Sequence, residues 1–371
     1  MTINADVLVI GGGIAGISAA ARIASDARVI VLEQEQALGY HSTGRSAAIF
    51  IRNYGNNVLR ALNAASAGTL EKPDGISDHS LLSPRGEMLI AAESDMPKFN
   101  AYLEGANGID ELTHKEAMEL VPILRPESFQ HAAFERNADD IDVDRLLQGF
   151  AKLLRAHGGE TIMGAEVQEI NKQGQNWKIK TQAGEFSAPI IVNAAGAWAD
   201  VIAKMAGISS VGLIPMRRSA AILPAPIGHD VNQWPLVAST AETWYMKPEA
   251  GKLMVSPAEE TPVEPHDAWV DDIILAEGLD RFEKDVTITV TRVERSWAGL
   301  RNFVADRTPV VGFAADADGF FWLAGQGGYG VQTSPALSDL TADLILGRTS
   351  QLAPEIVTAL HPSRASLSSP K

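Results

Sequence analysis

Three glycines spaced as Gly11-x-Gly13-x-x-Gly16 can do what other residues cannot, which is to bring bare backbone up to a phosphate. Gly11 permits a tight turn, Gly13 a close approach to a pyrophosphate, and Gly16 a close helix–strand contact. N–H groups left unpaired at a helix start would face the anion. Glu33 follows 20 residues after Gly13, where a carboxylate reaches ribose hydroxyls. The ligand this chemistry suits is an adenine dinucleotide.

That chemistry needs particular elements around it. Val7 to Ile10 is an unbroken apolar run, as in a strand buried on both faces. Ile14, Ile17, Ala20, Ala21 and Ala24 then recur at helical spacing. Arg28 to Leu32 reads as a second strand ending at Glu33. Strand, glycine turn, helix, strand and acid therefore stand in the required order.

Other stretches carry candidate chemistry. Ser42 or Thr43 would cap a short helix aimed at the same ligand, and Arg45 would pair with a phosphate. Pro189 to Val192 reads as another strand, running into the small-residue turn and helix of Asn193 to Asp200 and closing over the cofactor. Arg217 and Arg218 are adjacent in a strand from Met216 to Leu223, so they point to opposite faces and one meets a cavity. Gly325-Gln326-Gly327-Gly328-Tyr329-Gly330 opens a helix running to about Leu346, a second anion site suited to a reduced flavin ring. Asp139 to Asp144 fails the calcium-loop pattern, because Arg145 stands where Gly is needed, and no metal is expected.

Composition narrows the classes. The chain has 371 residues, 46% hydrophobic, enough for two or three globular units. A formal net charge of −15 argues against nucleic acid as a partner. The absence of Cys excludes disulfides, thiolate metal sites and a thioether-linked flavin. No apolar run is long enough to span a membrane, and no leader peptide precedes the first strand, so a cytoplasmic protein is expected.

Further elements are expected from pattern. Asn56 to Leu70 reads as a helix, Thr113 to Glu116 as a capping box before a short one, and Val143 to Leu154 as another helix. Residues 160–192 read as short strands, Trp244 to Ser256 as a hairpin, Asp271 to Phe282 as a helix and Thr287 to Arg292 as a strand. The tail from Leu360 is expected to be disordered.

Taken together, Gly11 to Gly16, Glu33, His41 to Ala48, Asn193 to Gly196 and Gly325 to Ser334 resemble the FAD-dependent D-amino-acid oxidase superfamily. Ser83-Pro84-Arg85-x-Glu87-Met88, Tyr245-x-Lys247-Pro248 and Trp297 to Arg301 are similar to bacterial D-arginine dehydrogenases. The resemblance implies an α/β, two-domain α+β fold. Its Rossmann-like FAD domain would comprise 1–80, 140–212 and 297–371. A discontinuous substrate domain on a mixed or antiparallel sheet would comprise 81–139 and 213–296. It implies non-covalent FAD held by Gly11, Gly13, Ile14, Ala15 and Gly16, then by Glu33 and Gln34. His41, Ser42, Thr43, Gly44, Arg45, Ser46, Ala47 and Ala48 would continue the site, with Val167, Ala195, Gly196 and Trp198. Arg301, Gly327, Gly328, Tyr329, Gly330, Val331, Gln332 and Thr333 would close it at the ring.

By the same resemblance Arg218 and Arg301 clamp a substrate carboxylate, Tyr54 and Tyr245 close the pocket, and Glu87 meets a cationic side chain. The backbone at Gly328 approaches the substrate amine. Ile49 stands where D-arginine dehydrogenases carry a pocket His, which favours a broader or more apolar side-chain range. The implied reaction is oxidative deamination of D-amino acids to 2-oxo acids and ammonia, by hydride transfer to flavin N5. The electron acceptor would be oxygen, a quinone or the respiratory chain. Two alternatives stand beside it: a secondary-amine oxidase of sarcosine or glycine-oxidase type, and a non-catalytic flavin-binding assembly partner.

Overall fold

The computed structural model describes residues 2–367. Val7–Ile10 and Val29–Leu32 are buried at every position, as central strands covered on both faces must be. They form the middle of a six-stranded sheet ordered Glu160–Ile162, Val29–Leu32, Val7–Ile10, Ile190–Asn193, Phe320–Ala324 and Val310–Phe313. Its strands are parallel except the last, which runs antiparallel to its neighbour.

Because side chains alternate along a strand, Val7 and Val9 enter one core while Leu8 and Ile10 enter another. On the first face the helix Ile14–Ile23 packs between Gly330–Ile345 and Val143–Ala156. Leu146, Leu147, Phe150 and Leu154 of the last helix are buried there, each worth about 1.5–3 kcal/mol for the apolar surface removed from water. On the second face lies a four-stranded sheet, Thr2–Asn4, Gly184–Ala188, Asn176–Thr181 and Val167–Gln173, with Trp177 in the core.

A nine-stranded mixed sheet is assembled from two separate stretches. Glu87–Ala91, Ile109–Leu112 and His131–Glu135 come from the first. The second supplies Ile214–Leu223, Leu236–Ser239, Tyr245–Glu249, Lys252–Ser256, Thr261–Pro262 and Arg295–Phe303. Leu236–Ser239 runs parallel to Glu87–Ala91 and the other pairs are antiparallel. Arg295–Phe303 pairs along nearly the whole length of Ile214–Leu223. The expected boundary at residue 297 therefore cuts a strand, and the sheet continues to Phe303.

Helix starts follow their caps. Asn56 accepts from the Leu59 N–H before the helix Asn57–Glu71, and Thr113 and Glu116 form a full capping box before His114–Leu120. Asp271 accepts from the Ile273 and Ile274 N–H groups before Asp272–Asp285.

Three expectations are corrected. Thr287–Arg292 is not a strand, despite its β-branched residues, because no neighbouring strand is there to pair with it; only Val286 bridges to Leu124. The chain from Leu360 is ordered through Leu367, where Arg364 is clamped on Asp306 by bonds of 2.7 and 2.9 Å, while 368–371 lie outside the described residues. Neither Ser42 nor Thr43 caps the short 3-10 turn Thr43–Arg45. Among the described residues no helix is long and apolar enough to cross a membrane.

Candidate active site

A cavity of about 330 Å³ joins the first glycine turn to the last. Its lining takes the ends of Val7–Ile10, Val29–Leu32 and Ile190–Asn193 on one side, and Arg218, Tyr245 and Arg301 from the nine-stranded sheet on the other.

The glycines divide by role. A Cβ on Gly11 would stand 2.3 Å from the Ala194 carbonyl oxygen, and Gly11 holds a φ of +111° that side chains rarely adopt. A Cβ on Gly16 would stand 2.0 Å from the Gly11 oxygen. Both positions are needed for packing. At Gly13 a Cβ would meet only Thr43 Oγ1, at 3.4 Å, and would otherwise enter the cavity. The bare backbone there is what a dinucleotide requires.

Glu33 is buried at the cavity wall. Its Oε2 accepts from the Gly12 N–H at 2.5 Å and its Oε1 from the Glu35 N–H at 2.8 Å. Each oxygen keeps a lone pair for a ribose hydroxyl. Thr43 Oγ1 accepts from the Ile14 N–H at 3.1 Å, fixing the polar loop against the helix start. Ser42 Oγ donates to the Leu300 carbonyl at 2.7 Å, joining that loop to the other sheet.

Arg45 lines the cavity, but its guanidinium is spent on the Ala268 and Ala298 carbonyls and on Asp267. Its expected pairing with a phosphate is corrected accordingly. His41 lies 2.9 Å from Glu35 Oε1, which orients the ring.

At the other end the register sets the cations. Met216 pairs with Arg301, so Arg218, two residues on, shares a sheet face with Arg301 and stands diagonal to it. Arg217 points to the opposite face and pairs with Asp271 at 3.1 Å. Arg218 donates from Nε to the Glu259 carbonyl at 2.7 Å and pairs with Glu260 at 3.2 Å. Burial and the like charge of Arg301 hold its pKa below the ordinary arginine value.

Arg301 is different. Among the described residues it has neither a hydrogen bond from its guanidinium nor an ion pair. Burial opposes its charge, but Tyr54, Tyr245, Tyr329 and Glu260 outweigh that and hold its pKa above the ordinary value. A cation facing a cavity with its donors free can receive an anion, and its planar fork matches a carboxylate.

Several expected residues lie off the lining. Tyr54 does not reach it, and its ring stands 4.9 Å from that of Tyr329. Gln332 is buried, with its amide spent on Ile51 and Asn63, and Thr333 bonds the Tyr329 carbonyl. Gly44, Ala48, Tyr329 and Ile49 are also outside the lining. Glu87 is buried away from the cavity, where Tyr102 donates to it at 2.9 Å. Burial, then the neighbouring Glu135, push its pKa up to about 8. The remaining expected contacts, including Ile14, Ala15, Gln34, Ser46, Ala47, Val167, Ala195, Gly196, Trp198, Gly327, Gly328, Gly330 and Val331, line the cavity.

Sequence reasoning passed over Asn302 and Gln326, which also line it. Asn302 Oδ1 and Gln326 Nε2 are buried with no hydrogen-bond partner. Their signal was position: one follows Arg301 and the other sits inside the last glycine turn.

Comparison with known proteins follows the same lines. A family model described as FAD dependent oxidoreductase matches residues 6–344. Glycine oxidase of Geobacillus kaustophilus is 24% identical over 367 residues, covering 93% of this chain and 94% of that one. Its crystal structure superposes with a TM-score of 0.84 at 23% identity, covering 98% and 99% of the two chains. L-proline dehydrogenase from P. horikoshii gives a TM-score of 0.83 at 21% identity, covering 98% of each. L-2-hydroxyglutarate dehydrogenase of Escherichia coli (strain K12) is 28% identical over 214 residues, covering 55% of this chain and half of that protein.

Proposed function

The chain belongs to the FAD dependent oxidoreductase family, and from that premise we propose that it oxidatively deaminates D-amino acids, giving 2-oxo acids and ammonia. FAD is its cofactor. The observation that carries the substrate class is Arg301, whose partly buried guanidinium is left free at the cavity wall.

Bound FAD supplies the hydride acceptor. Arg301 takes the substrate carboxylate by paired N–H···O bonds, and Arg218 adds positive potential while anchored on Glu260. Tyr245, stacked near Arg218 at 5.9 Å, orients the bound acid. The Gly328 backbone lies against Arg301 and would approach the substrate amine. His41 is held on Glu35 and is not used as a base, and the amine reacts in its neutral form. Holding Cα in a fixed place relative to the ring is the chain's main contribution to rate.

A second reading is oxidation of glycine or an N-substituted glycine, supported by likeness to glycine oxidase over nearly the whole of both chains. One experiment separates the two. The FAD-loaded protein is mixed anaerobically with D-amino acids, glycine, sarcosine and L-proline, and flavin absorbance is followed. Bleaching by D-amino acids supports the first reading, and bleaching only by glycine or secondary amines supports the second. Bleaching by none removes both. Repeating the run in air shows whether peroxide forms or another acceptor, such as a quinone, is required.

A further inference from the structure

Ile51–Tyr54 belongs to no helix or strand, yet side chains from elsewhere hold its backbone. Gln332 accepts from the Ile51 N–H at 3.3 Å. Asn63 Nδ2 donates to the carbonyls of Ile51, Arg52 and Tyr54 at 3.2, 3.4 and 3.1 Å. Arg60 Nε donates to the Asn53 carbonyl at 2.9 Å.

The two N–H groups between these go to one carboxylate. Glu135 accepts from the Arg52 N–H at 2.7 Å and the Asn53 N–H at 3.4 Å, and Asn53 Nδ2 adds a third bond at 2.6 Å. Glu135 ends a strand of the nine-stranded sheet and is 3% exposed. The Arg52 guanidinium turns away to Asp139 and Glu71, so Glu135 has no ion pair among the described residues. Burying a carboxylate without a cation is costly. All three of its donors come from Arg52 and Asn53, and the next residue is Tyr54, whose ring meets that of Tyr329, the neighbour of the Gly328 that Arg301 lies against.

We propose that Glu135 is a positioning residue: by holding the Arg52 and Asn53 N–H groups it fixes Tyr54 against Tyr329, next to the Gly328 backbone that Arg301 lies on, and so sets how tightly a substrate carboxylate is bound. This rests on the reading that Arg301 receives that carboxylate.

The test uses FAD-loaded protein and acetate as the probe, with the Kd read from the change in flavin absorbance. Glu135→Gln removes the charge and turns an NH₂ toward the donors, while Asn53→Ser removes the Nδ2 donor to Glu135 together with the side-chain bonds to the Asn107 backbone. Both are expected to raise the acetate Kd and the substrate KM about tenfold or more while kcat holds within about twofold, since a displaced contact of an ångström can cost as much. Glu135→Asp, which keeps the carboxylate, should recover part of the affinity. A lower Tm with unchanged acetate Kd in both Glu135→Gln and Asn53→Ser would overturn the proposal. Arg301→Met is run beside them: if it loses acetate binding while the other two keep it, positioning by Glu135 is rejected and the Arg301 reading stands. If Arg301→Met itself keeps acetate binding, the reading beneath is rejected too.

Discussion

The guanidinium of Arg301 lies flat against the backbone of Gly328, so closely that a Cβ on Gly328 would stand 3.0 Å from Arg301 Cζ and 3.1 Å from its Nε and Nη1. Gly328 keeps the cation in place by offering no side chain, and its φ is not in the left-handed region. Gly328→Ala is therefore expected to fold normally but push Arg301 off its place. KM should rise by about 10- to 100-fold for every carboxylate substrate, the cost of a misplaced binding group. Steady-state kinetics with a matched melting curve checks this. Unchanged KM would show that the contact is incidental.

Arg301 itself gives a sharper test. Its bonds to a carboxylate are charge-assisted, worth about 1.5–3 kcal/mol each. Arg301→Met keeps an unbranched apolar stem and removes both, so kcat/KM should fall by about 100-fold or more, at about 1.4 kcal/mol per decade. The same change at Arg217, which faces Asp271 away from the cavity, should leave kcat/KM within about twofold and lower only stability.

What could be seen in the sequence was what local geometry demands. The glycine turn, the helix caps and the split of Arg217 from Arg218 all follow from spacing within a few residues. What could not be seen depends on partners far along the chain. Asp267, which claims the Arg45 guanidinium, is 222 positions away, and Asp306, which fixes the tail through Arg364, is 58 away. Thr287–Arg292 has the residues of a strand and lacks a neighbour, which composition cannot reveal. Glu135 carries no local mark at all, since the backbone N–H groups it accepts from lie in a loop 82 and 83 positions back.

The first glycine turn separates folding from cofactor binding. Ala at Gly11 or Gly16 meets a carbonyl oxygen at 2.3 or 2.0 Å and should fail to give folded protein. Ala at Gly13 meets only Thr43 Oγ1 at 3.4 Å, so the apo protein should melt near the wild-type temperature. Its FAD Kd should rise about tenfold or more, each decade being about 1.4 kcal/mol of lost phosphate contact. Fluorescence titration with FAD, beside apo-protein melts, checks the split.

The buried pair Glu87 and Glu135, directly opposed on adjacent antiparallel strands, predicts how stability depends on pH. Burial is the main cause that raises both, and the charge of Glu135 raises Glu87 further, to about 8 from an ordinary 4.5. Between those values the folded protein holds a proton on Glu87 that the unfolded chain has released. Stability must then fall as pH rises through that window, by at most about 1.4 kcal/mol per pH unit, and level off above it. Glu87→Gln cannot lose a proton and still accepts from Tyr102, whose hydroxyl donates to the present carboxyl at 2.9 Å. The variant should match wild type near pH 5 and melt at a higher temperature near pH 8. Titrating groups that do not interact with Glu87 are common to the two proteins and cancel in the difference. A gap in Tm that is the same at both pH values would mean that Glu87 is charged throughout, and that its proton is not what lets two carboxyls share one buried site.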